Sequence, residues 1–108
     1  MRLSEKSLDK LRTYFESRPF KKVYLFGSFA RGEGQRNSDI DLLVTLDYDA
    51  IADILDVFIY PEELAQLMKR KVDFITKPSR YIVDEIENDK VLIYEKSITP
   101  LIEQLKSS

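Results

Sequence analysis

The sequence predicts a mixed α/β fold, a four-stranded sheet with its helices mainly on one face. Three observations carry this. Apolar residues switch along the chain between helical spacing and short strand-like runs, the pattern of helices laid on a sheet. The 108 residues make one ordinary domain, able to bury roughly 65 % of the extended surface around a single core. With 44 % hydrophobic and 33 % charged residues but only 3 Gly and 4 Pro, little of the chain is linker material. We expect one compact unit over residues 1–96, with 97–108 as a C-terminal tail or short helix.

Leu8, Leu11 and Phe15 fall at i, i+3 and i+7, with Ser4 as N-cap and Pro19 just beyond, and predict a first helix. Lys22 to Phe26 reads as an apolar strand stopped by Gly27, and Ile40 to Leu46 as a second, with the polar loop Arg31 to Ser38 between them. Ile51, Ile54, Leu55 and Phe58 repeat at helical spacing; Leu64, Leu67 and Met68 continue it after Pro61 and two acidic residues. The pattern fits either two helices or one kinked at Pro61. Val72 to Thr76 predicts a third strand, Tyr81 to Glu87 a short helix, Val91 to Tyr94 a fourth strand, and the tail from Ser97 a last, frayed helix.

Composition narrows the chemistry. Seventeen basic and 19 acidic residues are intermingled for a net charge of -2, which gives no electrostatic footprint for sequence-independent nucleic-acid binding. Without Cys there are no disulfides or thiolate metal sites, and without His the commonest general base and zinc ligand are missing. Chemistry must run on carboxylates and hydroxyls. The charged N-terminal segment has no apolar leader core and no apolar run approaches the roughly 18 residues of a membrane span, so a cytoplasmic protein is expected.

The informative stretch is Phe26-Gly27-Ser28-Phe29-Ala30-Arg31-Gly32, followed by Ser38-Asp39-Ile40-Asp41-Leu42-Leu43-Val44. Side chains alternate along a strand, so Asp39 and Asp41 share a face while Ile40, Leu42 and Val44 take the other. Their Cα atoms lie about 6.6 Å apart at ~3.3 Å per residue. Two like charges that close normally need compensation from a metal or a base, and Mg2+, which prefers oxygen ligands and is held by one or two carboxylates plus substrate phosphates, is the natural candidate. If the first two strands pair antiparallel, Gly27 and Ser28 come beside these carboxylates. Gly27 allows close approach of backbone to phosphate, and Ser28 offers its hydroxyl and N–H to the same group. Asp73, alone on the apolar run Lys71-Val72-Asp73-Phe74-Ile75, supplies a third carboxylate. Three carboxylates suit two magnesium ions flanking an in-line displacement at the α-phosphate of a nucleotide, with Asp73 accepting the proton of an acceptor hydroxyl.

These residues resemble the nucleotidyltransferase superfamily related to DNA polymerase beta: Gly27-Ser28, ten residues, then Asp39-Ile40-Asp41 is the spacing of its signature. Ala30-Arg31-Gly32, Lys71-Val72-Asp73 and the short length resemble its minimal members, the MNT antitoxins of HEPN/MNT toxin–antitoxin pairs. The resemblance runs from about Val23 to Tyr94. Phe29 departs from it, standing where many members carry a basic residue. The resemblance implies catalytic and metal-binding roles for Asp39, Asp41 and Asp73, nucleotide binding at Gly27, Ser28 and Arg31, and ATP and Mg2+ as substrate and cofactor. It also implies transfer of AMP to a tyrosine of a HEPN-domain ribonuclease partner, which is thereby neutralised. The family's toxins carry Arg-x-x-x-x-His, and a chain without histidine is not that partner.

Some readings stay open. Arg31 suits a phosphate contact and a pair with Glu33 equally. Tyr24, Phe26, Phe58, Phe74 and Tyr81 read as core, and Lys69-Arg70-Lys71 as a solvated helix end. Two other functions fit the same residues: a binding module that masks the toxin without chemistry, or a nucleotidyltransferase for a small alcohol of the aminoglycoside kind.

Overall fold

The computed structural model describes residues 1–96; the predicted tail helix lies outside them. Helix α1 (Glu5–Glu16) begins where Ser4 Oγ accepts the Ser7 N–H at 3.1 Å. Strand β1 (Phe20–Phe26) leads into a single helical turn, α2 (Gly27–Ala30). After the polar loop comes β2 (Ile40–Leu46), then two 3-10 turns, Tyr48–Ala50 and Ile54–Phe58. Helix α3 (Tyr60–Met68) starts with Pro61 and Glu62-Glu63 in its first turn, where a missing N–H costs nothing and acidic side chains suit the dipole. Strand β3 (Val72–Ile75), helix α4 (Val83–Asp89) and strand β4 (Val91–Glu95) complete the order.

The sheet runs β3-β2-β1-β4, antiparallel except for the parallel β2/β3 pair, whose crossover is α3. Strict alternation in β2 buries Ile40, Leu42, Val44 and Leu46 and turns Asp41, Leu43 and Thr45 the other way. Val23 and Leu25 of β1, Ile93 of β4 and Val72 of β3 complete the buried sheet face, which Leu11, Tyr14 and Phe15 of α1 and Tyr60 and Leu64 of α3 cover. Phe15, Phe20 and Tyr60 form an aromatic seam, with ring centroids 5.0 Å (Phe15–Phe20) and 5.2 Å (Phe20–Tyr60) apart. The predicted class therefore holds, with one apolar face covered by helices and one carrying charge.

Two expectations change. The apolar residues from Ile51 to Phe58 do not form a helix that buries a face; the chain makes 3-10 turns, and α3 begins separately at Tyr60. Asp53 draws the Leu55 N–H to its own carboxylate at 3.0 Å, a local bond that competes with helix propagation, and Pro61 brings no N–H with which to continue one. Phe58 and Tyr81, read as core, are 73 % and 81 % exposed. Phe74 does pack against the core, while Tyr24 and Phe26 are half-buried.

Candidate active site

The strand register assembles the site. Asp41 sits opposite Phe26 of β1 on one side and Asp73 of β3 on the other. Gly27 follows Phe26 with φ +75°, and a Cβ there would run into Asp41 Oδ2. Position 27 must therefore be glycine twice over, for its left-handed backbone and for the space the carboxylate fills. Asp39 immediately precedes β2, and the Ile40 N–H donates to Lys71 O at 2.9 Å, which ties that end of β2 to the approach to β3.

Of the sequence-predicted residues, the structure brings Asp39, Asp41, Asp73 and Gly27 together, with Ser28 next in chain at the start of α2. The Asp41 carboxyl is pushed up from 3.8 to about 6 by burial first, then by the charges of Asp73 and Asp39 and a hydrogen bond with Asp73; Arg31 opposes the shift. The carboxylates are neighbours without forming a closed cage: among the described residues, no three acidic side chains are already drawn in around one point. An open set of hard oxygen donors suits magnesium, which keeps waters and takes further ligands from phosphate.

Arg31 forms ion pairs at 2.9 Å with both Glu33 and Asp89, so its guanidinium links the loop to the end of α4 while its charge still reaches Asp41. Sequence reasoning missed two neighbours in Lys69-Arg70-Lys71. Lys71 Nζ lies 3.9 Å from Asp39 Oδ2 and 3.9 Å from Asp73 Oδ1, a counter-charge within the acidic group. Arg70 Nη1 donates to the carbonyls of Gln35 (3.2 Å), Arg36 (3.0 Å) and Ser38 (3.0 Å), and its guanidinium stacks on the buried Phe29 ring at 4.8 Å. It pins the loop that leads into Asp39. Lys69 ends α3 with φ 55°. The alternation that put Asp73 beside Asp41 could have flagged Lys71 on the same face; no sequence signal announces a grip on backbone carbonyls.

The model of the family described as Polymerase beta, Nucleotidyltransferase matches residues 9–99. The chain belongs to this nucleotidyltransferase family. A relative named "Putative protein adenylyltransferase MJ1379", from Methanocaldococcus jannaschii, is 39 % identical over 79 residues, covering 68 % of this chain and 76 % of that protein. Protein adenylyltransferase MntA of Thermococcus cleftensis is 36 % identical over 59 residues, 55 % of this chain and 58 % of that one. Among solved structures, a toxin–antitoxin with AMP-PNP matches with TM-score 0.63 at 23 % identity, covering 96 % of this chain and 83 % of the other. The tri-AMPylated Shewanella oneidensis HEPN toxin in complex with MNT antitoxin matches with TM-score 0.61 at 16 % identity, covering 96 % and 82 %. At these identities the structural likeness shows the nucleotidyltransferase fold. No helix among the described residues is long and apolar enough to cross a membrane.

Proposed function

We propose that this nucleotidyltransferase is an antitoxin that moves AMP from ATP to a tyrosine hydroxyl of a HEPN-domain ribonuclease partner and so silences it. The observation that carries the reading is the β2/β3 register that sets Asp73 beside Asp41, next to the Gly27–Ser28 bend. Relatives named as protein adenylyltransferases support the reaction class, and the toxin–antitoxin structures of the same fold support the partner.

The roles follow from position. Asp39 and Asp41 would hold magnesium together with the nucleotide phosphates, and Asp73 would complete the set. Bound there, the metal would neutralise phosphate charge and make the acceptor hydroxyl more acidic. Gly27 lets Asp41 come against the backbone, Ser28 offers hydroxyl and N–H to a phosphate, and Arg31, which is paired with Glu33 and Asp89, would have to exchange one of them to contact the nucleotide. A tyrosine hydroxyl, with a pKa near ~10, is a weak nucleophile at neutral pH, and Asp73, 44 % exposed at the edge of the group, would take its proton. The oxygen attacks the α-phosphorus, the bond to the β-phosphate oxygen breaks, and pyrophosphate leaves with its charge.

The test is transfer of label. With ATP labelled at the α-phosphate and the purified HEPN partner, the protein should mark the partner, and Asp41→Asn should reduce the rate by at least 100-fold. A partner that the wild-type protein neutralises with ATP present but never labels would replace transfer with masking.

A further inference from the structure

Four large apolar side chains stand in water on one short stretch. Ile54, Leu55, Phe58 and Ile59 are 55 %, 63 %, 73 % and 49 % exposed. The stretch is held by its own bonds: the Asp56 N–H donates to Asp53 O at 3.0 Å, the Ile59 N–H to Asp56 O at 3.1 Å, and Ile51 and Val57 pack against the core. Its outward display is thus the built conformation, and clustered exposure of this kind marks a surface made for contact.

Charge indicates the occupant. Between positions 47 and 63 lie six acidic residues and neither Lys nor Arg, in a chain whose net charge is only -2; Asp47 pairs with Lys96 and Glu63 with Arg18, which leaves Asp49, Asp53, Asp56 and Glu62 without an ion pair among the described residues. An acidic ribbon repels a second copy of itself and attracts a cationic surface. A protein that grips RNA in order to cut it must carry such a surface to neutralise phosphates. We propose that residues 47–63 dock onto the cationic, RNA-gripping face of the HEPN partner, with Leu55 and Phe58 as apolar anchors and the acidic residues as a rim. The proposal rests on the functional reading above for the partner's identity. It also separates attachment from chemistry: the segment starts where β2 ends, whereas Asp41 lies at the strand's beginning, about 17 Å away at ~3.3 Å per residue. Docking would then cover the RNA path while an acceptor tyrosine reaches the carboxylates from the side.

The experiment is a binding titration of purified HEPN partner against wild type, Leu55→Ser/Phe58→Ser and Asp49→Asn/Asp56→Asn, at 50 and 300 mM NaCl. Melting curves should be unchanged, because all four positions are exposed or half-exposed. The serine pair should weaken binding about 100-fold at both salts, as expected for two anchor residues. The asparagine pair should weaken it mainly at low salt and flatten the salt dependence. Wild-type affinity in the serine pair overturns the proposal, as does a wild-type dimer in sedimentation that the serine pair dissolves. Binding lost by the serine pair while wild type binds but never labels the partner removes the transfer reading and leaves docking intact. Labelling unaffected by the serine pair, at partner concentrations below saturation, does the reverse. No binding of wild type to the partner removes both.

Discussion

Lys71 Nζ stands 3.9 Å from both Asp39 Oδ2 and Asp73 Oδ1, a positive charge shared by two neighbouring carboxylates. It is 71 % exposed, so solvent screens it and its pairings contribute little to stability. Its effect is on what else can bind: an ammonium already beside two carboxylates repels an incoming dication. Lys71→Met should therefore bind Mn2+ about three- to tenfold more tightly, followed by the spin-resonance signal of free Mn2+ during titration. Unchanged or weaker binding would mean that the lysine does not compete for the place. At this scale the candidate site was largely legible in the sequence. Asp41 and Asp73 declare themselves by strand alternation, because a charge on an apolar strand has one face to go to, and Asp39 by its two-residue spacing from Asp41 just ahead of β2. Lys71 obeys the same alternation, yet its place at the end of a basic run disguised it as a solvated cation.

Among the elements, the loop from Arg31 to Ser38 owes its order to residues far along the chain. Arg70 bonds three of its carbonyls and covers Phe29, while Arg31 joins Glu33 to Asp89 at the end of α4. Arg70→Ala should cost about 1–3 kcal/mol and speed amide exchange across residues 35–39, with Arg70→Lys restoring little, since an ammonium lacks the planar fork. Exchange rates that stay at wild-type values would show that the loop holds itself. Elements with one clear periodicity were read well: β2 matches to the residue, and α1 carries the predicted cap and buried Leu11 and Phe15. Residues 51–58 misled because i, i+3, i+4 spacing shows which apolar residues could share a face, and not whether anything packs on it. Boundaries moved where turns intervened; α4 starts at Val83, two residues after its expected beginning.

For the whole molecule, the acidic group is a cost that depends on pH. The Asp41 carboxyl is held at about 6 against an ordinary 3.8, so between those values the folded chain binds more protons than the unfolded one. Stability contributed here is greatest below the lower value, falls as pH rises through about 6, and the full penalty applies above it. Asp41→Asn removes the charge that must be buried. Its melting temperature should exceed that of wild type by about 2–4 °C at pH 7.5 and by less at pH 4.5, read in parallel thermal scans. An equal difference at both pH values would place the upward shift elsewhere. The sheet order also divides the chemistry along the chain. Gly27, Ser28, Asp39 and Asp41 arrive with the first two strands, and Asp73 joins them only when α3 has crossed over and β3 has paired in parallel with β2. Neither fragment of a chain cut between positions 41 and 73 carries all three carboxylates, so the candidate set exists only where both parts of the sheet are paired.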